Sequence, residues 1–490
     1  MNTNSHEAGA ALGQPAGSRS DRAPLRALAR RQPLVTAADT PLREVLYQIS
    51  QSQEGAAIIA DANSGLPLGL ATLRELLHVI SFEQASLDDP VAAHMIGAPL
   101  GLVADASIHR AKVLMAKRGI RHLLLIEPDG RLFGLIEHAD LLGLYGDGTE
   151  ALVETIAAAR DIEAMLLAAD QVRQRGAQLF HGGMAVDALC QWMSGLNDLV
   201  GMRICELIED EFDLPPVPWC WLVFGSEGRL EQTFSTDQDN GLLFVPPSPE
   251  ATDSLRAAFL PFAQAVNDAL HTCGFERCAG KIMAGNPHWC LSYQEWRQRF
   301  GQWLRTPTPE ALLHGTIFFD FRPLYGDFEP ADQLRAWLAT EAPGQQRFFR
   351  ALAEQTLAVT PPLGWAGQFS YDRNREFPQS IDLKLRGARL FTDSARLWAL
   401  QIGTWSTNTA ERLRAAGNAR SRPVEETAAE IEAFHLIQRF RIQQQLKTSQ
   451  RDAVNRINPK QLNELHRLML KESFRQAKKL QLRLRQQFGL

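Results

Sequence analysis

The 490-residue chain predicts an α/β multidomain protein. A supersecondary unit of mixed helix and strand pattern occurs twice before residue 147. Near residue 225 two apolar strands bracket a polar, glycine-containing turn, and from about residue 331 onward the apolar residues follow helical spacing. A chain of this length exceeds one ordinary core, so roughly two to four domains are expected.

Composition is that of a globular protein. A net charge of -5 and a pI near 6.2 exclude a global attraction to nucleic acid or to anionic membrane. Cys190, Cys205, Cys220, Cys273, Cys278 and Cys290 form no CxxC pair, which argues against a zinc site and for free thiols in a reducing compartment. There is no apolar run of membrane-spanning length and no apolar segment near the N-terminus that would serve as a signal peptide. A cytoplasmic protein is expected.

Residues 1–24 are small and polar without periodicity and read as a disordered leader. The duplication follows: Asp39, Leu42, Ile49 and Ala57 to Ile59 recur 66 residues later as Asp105, Ile108, Met115 and Leu123 to Leu125. Each copy predicts a helix (Leu42 to Ser50; Ile108 to Gly119), a short buried strand (Ala56 to Ala60; His122 to Ile126), a turn, a strand and a helix.

Residues 148–213 are helical by pattern, with Ile162, Met165, Leu166, Ala169 and Val172 on one face and Gly182 and Gly183 as punctuation. A second helix over roughly Ala185 to Glu211 stops at the prolines before a strand, Trp219 to Phe224. A helix over 251–273 comes next, then His314 to Phe321 as a short buried helix or strand. The last helix, Pro459 to Phe488, predicts an apolar stripe through Leu462, Leu465, Met469, Ala477, Leu480, Leu484 and Phe488. Its other face carries eight Lys and Arg against two Glu and reads as a solvated surface or as one packed on an acidic neighbour; nucleic acid is not an expected partner.

The stretch GSEGRLEQTFSTDQDN, Gly225 to Asn240, carries the chemistry. Gly225 tolerates a tight turn and Ser226 adds a hydroxyl, so backbone N–H groups can approach a phosphate. Asp237 and Asp239 stand two apart on an extended segment and point to one side, where paired carboxylates hold a hard divalent cation. Two such charges a few ångström apart repel by about 4 kcal/mol at an effective dielectric near 20, and a cation relieves this. Arg229 can grip phosphate with its planar fork or pair with Glu231.

GSxGRxExxxxTDxDN is similar to the signature of the polymerase-beta-like nucleotidyltransferase superfamily, and within it to the group related to the uridylyltransferase that modifies the P-II nitrogen regulator. Most closely, the chain resembles a family in which a CBS-domain pair precedes this domain and a helical substrate-binding-type domain follows. Ala279 to Trp289, Phe318 to Arg322, Ile381 to Gly387 and Asn408 to Arg412 also agree with that family. The resemblance implies a CBS pair over 25–147, a helical linker and the start of the nucleotidyltransferase region over 148–213, a polymerase-beta-like α/β core over 214–330 and an all-α C-terminal domain over 331–490.

It further implies that Gly225, Ser226 and Arg229 hold an NTP while Asp237 and Asp239 bind Mg2+ or Mn2+, transferring a nucleoside monophosphate to a protein or small-molecule hydroxyl. Asp320 is the candidate third carboxylate and general base, its alternative being a pair with Arg322. Lys281, Asn286, Lys384 and Arg386 are candidates for nucleotide or acceptor contact. CBS pairs commonly bind AMP, ADP or ATP through a G-h-h-T-x-x-D segment; here Thr72 stands in the first copy and Asp140 in the second. A composite nucleotide site built on them, and a pair that only packs and forms a homodimer, both remain open. The competing functional reading is a non-catalytic nucleotide-sensing scaffold.

Overall fold

The structure, a computed structural model, describes residues 25–28, 33–52, 55–61, 64–82, 85–97, 99–106, 111, 114–115, 122–137, 140, 148–448 and 450–490. The leader, and the second-copy helix apart from Ala111, Leu114 and Met115, lie outside them. The chain divides into two compact units, residues 1–147 and 148–490.

In the first unit the duplication becomes two like sheets. β1 (Val35–Ala37), α1 (Leu42–Gln51), β2 (Ala56–Ala60), β3 (Pro67–Thr72), α2 (Leu73–Phe82) and β4 (Ile96–Gly97) build one, in the order β1-β2-β3-β4. β5 (Gly101–Val103), β6 (His122–Ile126) and β7 (Leu132–Glu137) build the other. In both the first pair is parallel, with Val35 opposite Ile58 and Gly101 opposite Leu124, and the second is antiparallel. The register shift between Ile59 and Ala60 returns between Leu125 and Ile126, so the repeat extends to the irregularity of the ladder. β2 and β6 are apolar on both faces because both faces are covered: Ala57 and Ile59 pack under α1 and α2, while Ala56, Ile58 and Leu70 meet Leu124 and Leu135 of the other sheet.

The second unit begins with α3 (Thr149–Ala158), α4 (Ile162–His181) and α5 (Val186–Glu209). Asp161 caps α4 by accepting from the Ala164 N–H, and Gly183, at φ 88°, lets the chain leave it. Next come β8 (Trp219–Val223), the single turn α6 (Gly225–Gly228), β9 (Asp237–Gln238), β10 (Asn240–Phe244), α7 (Thr252–Thr272), β11 (Glu276–Arg277), β12 (Cys290–Ser292), α8 (Tyr293–Arg305), α9 (Pro309–Phe318) and β13 (Arg322–Gly326). The main sheet runs β12-β10-β8-β13, with β8 antiparallel to both neighbours and β10 parallel to β12. Every residue of β8 and β10 is buried, as expected of apolar runs in the middle of a covered sheet.

The remainder is helical: α10 (Glu329–Glu341), α11 (Gln346–Ala358), α12 (Arg389–Gln401), α13 (Thr409–Ala419), α14 (Val424–Gln445) and α15 (Glu464–Phe488). Two short strands interrupt it, β14 (Ile381–Asp382) against β15 (Arg456–Ile457), where helices alone were expected. One core runs from the sheet into these helices, joining Phe224, Phe318 and Phe321 to Phe391, Phe434 and Phe474. The expected stripe of the last helix needs correction. Leu465 and Met469 are exposed, and the buried line is Leu470, Ser473, Phe474, Ala477, Leu480, Gln481 and Leu484. α15 starts only at Glu464, capped by Asn463, and the 3.6-residue period counted back from Leu484 lands on Leu470 rather than Met469. All six cysteines are free, and no helix among the described residues is long and apolar enough to cross a membrane.

Candidate active site

The turn after β8 and the acidic pair converge. Gly225 takes φ 56°, a left-handed conformation in which a side chain is strained, and an added Cβ would lie 2.7 Å from Asp239 Oδ2. The Phe224 N–H donates to the Asp239 carbonyl at 2.8 Å, and the Gly228 and Arg229 N–H groups close the turn onto Phe224 and Gly225. Ser226 stands half-buried near its start. Leu230, at φ 57°, is a second left-handed residue, held between an Arg229 and a Glu231 whose side chains bond at 2.8 Å.

Asp237 and Asp239 face outward because their neighbours are tied inward. Gln238 donates to the Asn267 and Phe275 carbonyls at 3.0 and 2.9 Å. Asn267 in turn donates to Gln238 Oε1 and Asn240 Oδ1, both at 2.9 Å, while the Ala284 and Gly285 N–H groups bond Asn240 and Asn267 at 2.8 Å. In a strand whose side chains alternate, fixing the two amides inside leaves the two carboxylates outside. Sequence reasoning missed Gln238, Asn240 and Asn267; the signal was the alternation of amide and acid in TDQDN.

Burial pushes the Asp239 carboxyl up, and the charge of Asp237 adds to this; a hydrogen bond from Cys278, then Lys384 and Arg229, oppose it. Asp237 is met from the helical region by Lys384 Nζ at 3.4 Å and an Arg451 guanidinium nitrogen at 3.6 Å. No cluster of three or more His, Cys, Asp or Glu among the described residues is arranged to hold a metal ion. Two carboxylates, one disfavoured in its charged form, nonetheless suit Mg2+, which takes one or two protein carboxylates and completes its octahedron with phosphate oxygens and water.

Asp320 does not sit where a general base needs to be. It is fully buried and accepts from Arg229 Nη1 at 2.7 Å, Arg396 Nε and Nη2 at 2.9 and 2.7 Å, and Arg412 Nη1 at 2.5 Å. Burial alone would raise its carboxyl, but the three guanidiniums overcome this and hold it far below the carboxylate range, too weak a base to take a hydroxyl proton. The alternative pairing with Arg322 also fails, because Arg322 binds Asp198 at 2.5 Å. Arg229 thus bonds both Glu231 and Asp320, leaving Nη2 as the end of the fork that neither carboxylate takes.

Glu227, unremarked in the sequence, has its carboxyl pushed up to about 8 by burial and by the charge of Asp198; Arg322 opposes the shift, and Asp239 adds to it. Among the other candidates, Lys281 is exposed at φ 54° and its carbonyl accepts from Asn286 at 2.9 Å. Arg386 binds Asp372 at 2.8 Å and the Ser370 carbonyl at 3.2 Å.

In the first unit Thr72 and Glu75 bond reciprocally, the Thr72 hydroxyl donating at 2.6 Å, at the start of α2. Asp140 accepts from the Glu137 N–H at 2.8 Å in the corresponding place of the second copy.

Residues 170–310 match the family described as "Putative nucleotidyltransferase DUF294", residues 346–488 that described as "Putative nucleotidyltransferase substrate binding domain", and residues 91–147 the CBS domain family. Among curated proteins the chain is similar to an uncharacterized protein of Methanopyrus kandleri, 25% identical over 116 residues, covering 24% of this chain and 59% of that one. It is also similar to an uncharacterized 17.7 kDa protein of Acidianus ambivalens, 25% identical over 100 residues, covering 20% and 59%. The chain therefore spans 59% of the length of each of these relatives. Among solved structures it is similar to a CBS domain protein of Pyrobaculum aerophilum complexed with AMP, at 22% identity over 24% of this chain and 88% of that one, TM-score 0.23. A CBS-domain-containing protein of Agrobacterium tumefaciens gives 23% identity over 25% and 92%, TM-score 0.23.

Proposed function

Because the chain belongs to the nucleotidyltransferase family that joins a CBS module to a transferase domain and its helical substrate-binding domain, we propose that it transfers a nucleoside monophosphate from an NTP to a hydroxyl on a protein or small molecule. The observation that carries this reading is the approach of Gly225 to Asp239, which sets a turn rich in backbone N–H groups against a carboxylate pair.

In the proposed reaction the acceptor oxygen attacks the α-phosphorus in line, the new P–O bond forms, and the bond to pyrophosphate breaks. The N–H groups and hydroxyl around Ser226 bind phosphate oxygens, with Arg229 Nη2 a further donor. Asp237 and Asp239 would hold Mg2+ or Mn2+, which supplies charge neutralisation at the entering and leaving oxygens. Lys384 and Arg451, beside Asp237, carry the positive charge that a triphosphate needs once the carboxylates are otherwise engaged. Asp320, engaged by three guanidiniums, has no part in proton transfer.

The CBS module is proposed to bind an adenosine nucleotide at Thr72, which ends β3, and at Asp140, the second-copy counterpart of Glu75 just beyond the end of β7, and thereby to regulate transfer. A homodimer formed through this module, in the cytoplasm, completes the proposal. Mass spectrometry of the cellular proteome and metabolites tests it, comparing wild type with a D237N/D239N variant. A nucleotide mass shift seen only with wild type identifies the acceptor; identical spectra favour the non-catalytic scaffold.

A further inference from the structure

We propose that Asp320 is a positioning residue through which the helical region 389–412 sets the orientation of Arg229 and of the turn from Gly225 to Glu231. The inference rests on the reading of that turn as the nucleotide phosphate site. It assigns part of the nucleotide site to a region matched as substrate-binding.

The turn is gripped from three directions. From behind, Gly228 packs so closely on the Asp320 backbone that a Cβ there would lie 1.8 Å from its carbonyl oxygen. From α12 and α13, Arg396 and Arg412 hold the Asp320 carboxylate, which in turn holds Arg229. From the segment entering α13, Thr407 Oγ1 donates to the Gly228 carbonyl at 2.7 Å and Asn408 Nδ2 to the Arg229 carbonyl at 3.2 Å, while the Thr409 N–H donates to Glu231 Oε1 at 2.6 Å. Glu231 closes the circuit, since its other oxygen accepts from Arg229 Nε at 2.8 Å.

A buried carboxylate among three guanidiniums is an expensive way to fill a core, because apolar side chains of similar volume stabilise as well or better. What the ionic arrangement does, and an apolar one cannot, is fix a planar guanidinium by two of its edges. Arg229, only 14% exposed, is bound at Nε by Glu231 and at Nη1 by Asp320, so its plane is determined and Nη2 has one direction to offer. Removing the Asp320 charge would leave Arg396 and Arg412 without their shared partner and free Arg229 to rotate.

The test uses the full chain. Calorimetric binding of non-hydrolysable analogues of the four NTPs, each with Mg2+, is measured for wild type, Asp320→Asn and Thr407→Val, beside hydrogen exchange of the amides of residues 225–231. The expected result is a dissociation constant raised at least about 10-fold by Asp320→Asn and about 3-fold by Thr407→Val, with faster exchange across the turn in both. Thr407→Val removes one donor and keeps the ionic cluster, so it separates the hydroxyl's hold on the turn from that of Asp320; Arg412→Lys, which keeps the charge but loses the guanidinium's fork on Asp320, decides the matter by the same two readouts if Asp320→Asn does not fold. Wild-type affinity together with wild-type exchange in the folded variants would overturn the proposal. Absence of NTP binding by the wild type would instead sink the nucleotide reading, and the exchange comparison would still show whether these groups hold the turn.

Discussion

Gly225 has no side chain because the carboxylate of Asp239 occupies the space where one would be: a Cβ would stand 2.7 Å from Oδ2. The left-handed backbone at φ 56° penalises any other residue there independently. Gly225→Ala is therefore expected to destabilise by about 1–3 kcal/mol and to lower transfer by at least ~100-fold, because the turn and the acid can no longer meet. Thermal denaturation beside steady-state kinetics checks this, and an active Gly225→Ala enzyme would show that the contact is incidental.

The amide network behind the acidic pair carries its own expectation. Asn267→Ala strands Gln238 Oε1 and the Gly285 N–H and leaves Asn240 Oδ1 with the Ala284 N–H as its remaining donor. A loss of about 2–4 kcal/mol in denaturant unfolding follows, with weakened Mn2+ binding in the fraction that stays folded.

Lys384 and Arg451 make partly exposed ion pairs with Asp237, so Lys384→Ala and Arg451→Ala should change stability by less than about 1 kcal/mol. Their effect lies in binding. Without nucleotide, Mn2+ should bind the variants more tightly, since a competing cation has gone; the KM for NTP should rise by roughly 10-fold for either variant. Opposite movement of the two quantities distinguishes this role from simple surface charge.

Glu227 links stability to pH. Its native carboxyl is raised to about 8 against an ordinary 4.5, so between these values the native state holds a proton that the unfolded chain has lost. Stability from this group is complete below pH ~4.5 and is lost as pH climbs to ~8. Glu227→Gln, permanently neutral, should match wild type near pH 4.5 and exceed it by roughly 1–3 kcal/mol at pH 8 in urea unfolding. Parallel wild-type and variant curves across that range would show that Glu227 ionises freely in the folded protein.

The features legible in the sequence are those whose cause is local. The 66-residue repeat carried over into strand pairing and even into matching register shifts, because each copy builds its ladder from its own residues. Gly225 and Asp239 sit in one strand-turn-strand run, so their meeting could be anticipated. Asp320 could not be read this way. Its partners Arg396 and Arg412 lie 76 and 92 positions away, whereas the near neighbour Arg322 binds Asp198 instead. Glu227 was invisible for a related reason: its shift comes from burial and from the charge of Asp198 on a preceding helix. In α15 the stripe was misplaced at its beginning, where a leucine-rich sequence offers several apolar lines and the packing against α11, α12 and α14 chooses among them.

Asp237 and Asp239 are the residues on which the proposed transfer depends. The most direct measurement is pyrophosphate release from NTP by purified protein with Mg2+ and a cell extract as acceptor source, wild type against D237N/D239N. Release that requires Mg2+, and that falls at least ~1,000-fold in the folded double variant, is the predicted result. Equal release by the two proteins, or none by wild type with every NTP, would contradict it.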